Sequence, residues 1–397
     1  MISPSRRLSL PLAFGLVALA GCRTHDFPEY PANYREFAYV TNGNSNTVSI
    51  LDVVHVRLDR EVQVGQNPTG VTANPRRNEI YVVNSGSAQS NGSISVIDTE
   101  KNVVVATIPV HRQPYFLEVD PSGDTAYVAN SGSNSVSILD LKSRREVAVV
   151  GTGEVPGVAR ISPDGKSLVV TNRQGNSVSI LSPGLNEAKD HASPVLRKVV
   201  EGCPGATDAV ILPDSSKAFV ACSGGHQIMA IALARSSSGQ DQPEIRPDAL
   251  EALLNVGHSP VHLALKPDGG ELFVSNYDSN TISEVVTSTN DVGGAYLMGS
   301  HPVRGLVNAD NSLLYVSNFR SQEITVYSID DGKRVGSIHV GDGPDALALS
   351  TGGQLLFAVD ARSGDVAVIR TSTRSLFNLL PTGRQPNAIA VKAFRLP

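Results

Sequence analysis

A short segment returns in variant form at nearly regular intervals through this 397-residue chain. Its first copy is Tyr39-Val40-Thr41-Asn42, followed by an alternating run from Asn46 to Asp52. Further copies begin at Tyr81, Tyr127, Val169, Phe219, Phe273, Tyr315 and Phe357, at spacings of 42 to 54 residues. A period near this length predicts one radially repeated fold rather than two or three conventional domains.

Each repeat has the pattern of a four-stranded antiparallel meander. The clearest copy, residues 114 to 151, alternates strand-like segments with turns rich in Gly, Asn, Asp and Ser. Such a unit has two apolar faces, and stacking units around an axis buries both. The sequence therefore predicts an all-β protein, a single β-propeller of four-stranded antiparallel blades. We expect the Asn that ends most second strands to bond backbone groups in the following turn.

The two ends of the array indicate how the ring closes. Tyr39 opens a second strand with no first strand ahead of it, and residues 386–393 form a first strand with nothing after it. Eight first strands and eight second strands can be counted. We predict eight blades, with the last strand completing the first blade as a velcro closure.

The repeat resembles the YVTN-repeat family of bacterial and archaeal β-propellers over about residues 38–394. Members are frequently seven-bladed, so seven blades are the alternative count. The repeat spacing lengthens between 183 and 256, where we expect insertions at 184–193 and 236–247 and a short helix at 248–254.

The N-terminus has the pattern of a targeting segment. Arg6 and Arg7 precede an apolar run from residue 8 to 20 that is too short to span a bilayer. Residues 19–22, Leu-Ala-Gly-Cys, resemble the bacterial lipobox, which implies lipid attachment at Cys22 and anchoring to the cell envelope. Arg23 in place of an Asp favours the outer membrane, on its periplasmic or surface face. An ordinary signal peptide with a chance Cys is the alternative.

These observations divide the chain into a lipoprotein signal peptide (1–21), a lipidated flexible tether (22–37) and the propeller (38–397). Cys203 and Cys222 then form an even pair in an oxidising compartment. They lie at neighbouring ends of one hairpin, so we predict a disulfide, with two buried thiols as the alternative.

The charge of the chain limits its partners. The formal net charge is −5, with no strongly basic region of the kind that binds nucleic acid, so we do not expect nucleic acid as a partner. His and Arg nevertheless concentrate on loops that share one face. The predicted binding face comprises His111, Arg112, Arg173, His226, His258, His262, Tyr277, His301, Arg304, Arg320 and Arg384. It suits an anionic small molecule or polysaccharide, or a protein; ordinary solvated loops are the alternative.

Two members of this set are unusual. His262 and Arg304 each follow an inter-blade Pro by two residues. Most other copies have a small or apolar residue there: Gly70, Val158, Ala206, Ala346 and Ala388, with Phe116 in the same register. Inner strands crowd the central channel, so His262 and Arg304 are the candidate catalytic or binding pair. A purely structural role is the alternative.

The motifs favour binding over catalysis. Pro260-Val261-His262 with Pro267-Asp268-Gly269 resembles lactonase-type propellers, which implies hydrolysis around His262 as the alternative function. No Gly-rich phosphate loop, Gly-x-Ser-x-Gly, zinc-spaced set or Cys-x-x-Cys-His is present. We therefore predict a non-catalytic binding or scaffolding module, monomeric, membrane-attached through Cys22, with no cofactor and no metal.

Overall fold

A computed structural model describes residues 30–184, 194–236 and 245–396. The predictions for the signal peptide and for Cys22 lie outside these residues. Within the described part, no helix is long and apolar enough to cross a membrane.

Eight four-stranded antiparallel sheets make up the domain. Strands are numbered in chain order. The innermost strands are β4 (Pro68–Ala73), β8 (Pro114–Val119), β12 (Pro156–Ile161), β16 (Ala206–Ile211), β22 (Pro260–Leu265), β26 (Pro302–Val307), β30 (Pro344–Leu349) and β34 (Pro386–Arg395). The second strands are β1 (Tyr34–Asn42), β5 (Glu79–Asn84), β9 (Thr125–Asn130), β13 (Leu168–Asn172), β17 (Lys217–Cys222), β23 (Glu271–Asn276), β27 (Leu313–Asn318) and β31 (Leu355–Asp360).

The outer half of each blade completes the sheet. The third strands are β2 (Thr47–Asp52), β6 (Asn91–Asp98), β10 (Ser135–Asp140), β14 (Ser177–Ser182), β18 (Gln227–Ala232), β24 (Thr281–Val286), β28 (Glu323–Ser328) and β32 (Asp365–Arg370). The fourth strands are β3 (Arg57–Gln63), β7 (Val103–Arg112), β11 (Arg145–Gly151), β15 (Val195–Glu201), β21 (Ala249–Asn255), β25 (Asp291–Leu297), β29 (Lys333–His339) and β33 (Ser375–Pro381). A short pair, β19 (Arg235–Ser236) with β20 (Ile245–Arg246), and 3-10 turns at Ser131–Ser133 and Ser223–Gly225 complete the described elements.

The ring closes as predicted, with eight blades. Each inner strand contacts the next in chain order, and β34 contacts both β30 and β4. Blade 1 consists of β34, β1, β2 and β3, and blades 2 to 8 follow along the chain. β1 begins at Tyr34, which pairs with Arg395, so residues 34–37 belong to the sheet and not to the predicted tether.

Apolar contacts between neighbouring blades form the core. The first residue of each repeat motif is buried in such a contact, as Tyr39, Tyr81 and Phe219 illustrate. The cluster around Tyr81, for example, joins Val83 of blade 2 to Leu117 and Val128 of blade 3. Burial of these side chains is the main force holding the blades in a ring.

The motif Asn has a different role from the predicted one. In blade 4, Asn172 Nδ2 donates hydrogen bonds to Ser177 Oγ and Ser179 Oγ, both at 3.0 Å. Equivalent bonds to third-strand hydroxyls recur in blades 1, 2, 3, 6 and 7. The Asn therefore cross-links two strands of its own blade through buried side chains, because those strands bring the amide and the hydroxyls together away from water.

Residues 248–254, where a helix was expected, instead form most of β21, the fourth strand of blade 5. The prediction was wrong because this outer strand exposes Leu250 and Leu253, so its sequence does not show the alternation of apolar and polar residues expected of a strand. In the same blade, Cys203 and Cys222 are joined by a disulfide. Both cysteines are fully buried.

Candidate functional site

A cavity of about 940 Å³ occupies the central channel, and all eight inner strands contribute to its wall. One level of this wall is formed by the residue two positions after the start of each inner strand. From blade 1 to blade 8 these residues are Ala388, Gly70, Phe116, Val158, Asp208, His262, Arg304 and Ala346. Polar groups therefore occupy three consecutive blades, 5 to 7.

Asp208 is the member that the sequence reading missed. The prediction placed Ala206 at this level, counting from Pro204. In the structure Ala206 pairs with Cys222, just as Pro260 pairs with Asn276, so Asp208 is the equivalent of His262. Pro260 and Asn276 are 16 residues apart. Counting the same 16 residues back from Cys222 reaches Ala206, which would have given this register from the sequence.

Asp208 lies at the centre of a buried polar network. Its two carboxylate oxygens accept hydrogen bonds from the backbone N–H groups of Ala209 at 2.9 Å and Leu263 at 3.1 Å. Arg160 Nη2 lies 3.6 Å from Oδ1, and His262 Nε2 lies 3.7 Å from Oδ2. One carboxylate thus connects blades 4, 5 and 6.

Arg160 is held on several sides. Its Nη1 donates to Glu118 Oε2 at 2.7 Å and its Nε donates to the carbonyl of Ala209 at 3.1 Å. The guanidinium also covers one face of the Phe116 ring, 4.6 Å from the ring centre. Neither Arg160 nor Glu118 was singled out from the sequence, because charged residues on inner strands give no periodic signal.

His262 is likewise committed to the protein. The backbone N–H of Gly305 donates to Nδ1 at 3.2 Å, so the neutral ring carries its proton on Nε2, which faces Asp208. Burial lowers the pKa of His262 to about 4; Asp208 opposes this shift, and Arg304 and Arg160 add to it. The imidazole is therefore uncharged at neutral pH.

The charges of the network support each other. Burial alone would raise the pKa of Asp208. His262, which is protonated only in the acid range, Arg160 and Arg304 together lower this pKa below its usual value. Burial alone would lower the pKa of Arg160, whereas Glu118 and Asp208 raise it. Both groups are consequently ionised at neutral pH.

Arg304 is the least committed cation of the channel. Its side chain is 44% exposed, and its Nε lies 3.6 Å from Asp345 Oδ1. Among the described residues its guanidinium makes no hydrogen bond. The structure brings His262 and Arg304 to one level of the channel, as predicted. Their side chains differ in exposure: His262 is enclosed by the protein, whereas Arg304 is open to the cavity.

Flat side chains surround the mouth above this level. Four stacked or edge-on pairs link neighbouring blades, at 4.2 to 4.6 Å: Tyr115 with Arg173, His226 with His258, Tyr277 with His301, and Phe319 with Arg362. We call these eight residues the rim pairs.

The other predicted face residues have diverse surroundings. His226 replaces a left-handed Asn of other blades, and its Nδ1 accepts the backbone N–H of Ser259. His111 was placed on a loop but lies in β7, with Nε2 3.5 Å from Glu146 of the next fourth strand. The outer strand simply continues further than its pattern indicates. Arg384 donates to the carbonyl of Asn44. Neither Arg112 nor Arg320 has a side-chain partner within the described ranges.

No protein-family model and no curated protein sequence matches the chain. Solved structures of similar fold do exist. The dihydro-heme d1 dehydrogenase NirN, solved in complex with DHE, has a TM-score of 0.71 at 16% identity, over 92% of this chain and 76% of its own. AztD from Citrobacter koseri, solved in its apo form, has a TM-score of 0.65 at 14% identity, over 91% of this chain and 98% of its own. A presumed 6-phosphogluconolactonase from Bacteroides uniformis ATCC 8492 has a TM-score of 0.59 at 15% identity, over 91% of this chain and 100% of its own. These likenesses show the fold, an eight-bladed β-propeller here, and leave the function open.

Proposed function

We propose that this protein is a non-catalytic binding propeller that holds an anionic small molecule in its central channel, with Arg304 as the anchor. The observation that carries the proposal is the contrast between two cations of one channel. Arg160 is bound by Glu118, Ala209 and Asp208, whereas Arg304 is 44% exposed beside a single distant carboxylate. A guanidinium in a concave, partly dehydrated site binds carboxylates strongly.

The surroundings of His262 support binding over hydrolysis. A general base needs a free lone pair within reach of a substrate or water. Nδ1 of His262 accepts from Gly305, and Nε2 carries the proton and faces Asp208. The same arrangement gives a haem-type iron no free imidazole nitrogen at this position.

The cellular setting belongs to the same proposal. A lipid on Cys22 would hold the propeller at the cell envelope, most simply as a monomer on the outer membrane. The rim pairs, with Arg112 and Arg320, then offer a second, shallower surface to protein or polysaccharide partners.

Calorimetric titration with a panel of carboxylates tests the proposal. Arg304→Gln should weaken binding about tenfold or more, since a charged hydrogen bond is lost. Arg320→Gln is the matched control, because it removes an exposed rim cation instead of the channel cation. Equal effects of the two variants would contradict a channel site.

Incubation with sugar lactones tests the alternative lactonase function. We expect no turnover above the spontaneous rate. Turnover that His262→Ala abolishes would replace the binding proposal with the hydrolase.

A further inference from the structure

We infer that the channel ligand is a monoanion with a flat apolar body, such as an aromatic carboxylate, rather than a sugar acid, a phosphate or a dianion. This inference rests on the proposed anion site at Arg304 and specifies its ligand. It follows from how polar and apolar groups are distributed around one level of the channel.

That level is divided into two arcs. Asp208, His262 and Arg304 occupy blades 5 to 7, and the remaining five blades present Ala346, Ala388, Gly70, Phe116 and Val158. The three smallest of these lie on consecutive blades, 8, 1 and 2. The open space at this level therefore lies beside blades 8, 1 and 2.

The two ends of this open space differ in chemistry. Arg304 on blade 7 borders it at one end and Phe116 on blade 3 borders it at the other. Blades 3 and 7 are four apart in a ring of eight, so the guanidinium and the aromatic ring lie on opposite sides of the channel. A molecule spanning the space meets a cation at one end and an aromatic ring at the other.

The wall between these ends has few groups to offer a polyhydroxylated ligand. Val71, Leu347 and Ile389 line it. Asn387 donates to the carbonyl of Pro68 and accepts from Thr41, and Thr72 donates to the carbonyl of Leu117. Thr69 Oγ1 has no hydrogen-bond partner among the described residues, but the atom is buried and is not exposed to the cavity. Sugar hydroxyls placed here would lose water without replacement, whereas an apolar body gains from burial.

The charges of the wall limit the ligand to one negative charge. Glu118, Asp208 and Asp345 face the cavity together with Arg160, Arg173 and Arg304, so the charged groups of the lining sum to zero. Arg160 is already paired with Glu118 at 2.7 Å. Arg173 stacks on Tyr115 at the rim and donates to Ser131 Oγ. A second anionic group at the level of Arg304 would therefore meet Asp345 or Asp208 instead of a cation.

The experiment compares four probes on the full-length protein: 2-naphthoate, indole-3-carboxylate, gluconate and inorganic phosphate. The chain contains no Trp, so fluorescence of the aromatic probes can be followed with little interference. We expect the two aromatic acids to bind at least tenfold more tightly than gluconate or phosphate. Tighter binding of gluconate or phosphate would overturn the inference and leave the proposed anion site standing. Binding of none of the four would overturn both.

Gly70→Leu locates the apolar body. A Cβ at Gly70 meets its nearest neighbours at 3.6 Å, so a side chain can be added and should fill the open space. We expect naphthoate affinity to fall at least tenfold. Gly151→Leu, on an outer strand with nothing near its Cβ, is the control and should leave affinity unchanged. Ala388→Leu serves as the second variant if Gly70→Leu does not fold. Unchanged affinity in a folded filling variant would place the ligand elsewhere and overturn the inference.

Discussion

Asp360 and Asp365 face each other across β31 and β32, where five other blades pair an Asn with a Ser or Thr. Asp360 is fully buried, and its Oδ2 accepts the backbone N–H of Gly341 at 3.0 Å. Burial, and then the hydrogen bond and charge of Asp365, raise the pKa of Asp360 to about 8. Blade 8 thus keeps a protonated carboxyl where most of its neighbours keep an amide.

This pair predicts a pH-dependent stability. A carboxyl whose pKa is raised on folding binds its proton more tightly in the folded state. Its contribution to stability is therefore fully present below the unfolded pKa near 4 and is lost as pH rises through about 8. We expect the thermal midpoint to fall between about pH 4 and about pH 8, and Asp360→Asn to reduce that fall.

Thermal unfolding followed by circular dichroism at several pH values checks this expectation. Asp330→Asn, at an exposed turn, is the control and should retain the wild-type pH profile. An Asp360→Asn profile parallel to that of the wild type would show that the pair does not cause the dependence.

The Cys203–Cys222 disulfide should stabilise blade 5. It closes a loop with a sequence separation of 19 residues, for which about 2–4 kcal/mol is expected. Urea unfolding with and without a reductant measures the difference. The double variant Cys203→Ala/Cys222→Ala should be insensitive to reductant, and equal wild-type curves under both conditions would contradict a stabilising bridge.

His262 should matter for stability. Its removal leaves the buried N–H of Gly305 without an acceptor and removes a neighbour of Asp208. We expect His262→Ala to lower the free energy of unfolding by roughly 1–3 kcal/mol. His262→Asn, which retains an acceptor, should lose less; an alanine variant as stable as the wild type would refute the structural role.

Closure of the ring should depend on β34. A chain ending at residue 385 lacks the inner strand of blade 1, so β1 loses its partners on β34 and pairs only with β2. We expect loss of cooperative unfolding and rapid proteolysis. A chain ending at Arg395, which retains the whole strand, should behave like the full-length protein.

The fold could be predicted because its markers are local. Turn residues and the repeated motif set the strand order, and the chain ends set the closure. The fourth strands were harder to predict, because outer positions such as Leu253 remain exposed and the strand does not need to alternate apolar and polar residues. The start of the propeller was placed too late because residues 34–37 lie before the first motif, and all four pair with the far end of the chain.

The site was only partly predictable for a related reason. His262 and Arg304 stand out because their neighbours in register are small. Asp208 was hidden by two additional residues between Pro204 and its strand-equivalent position, and pairing with Cys222 reveals it. The contacts of Arg160 with Glu118 and Asp208 join separate blades, so no single repeat contains the information.

The pairing of β1 with β34 also has a consequence for the order of events during synthesis. Thr41 of β1 donates a hydrogen bond to Asn387, 346 positions later, so β1 is synthesised long before β34, the strand with which it pairs. A nascent chain can complete blades 2 to 8 in turn, but the level of Ala388 and Gly70 stays open until translation has passed residue 395. Ligand binding in the channel would therefore distinguish chains that contain β34 from chains released before it is made.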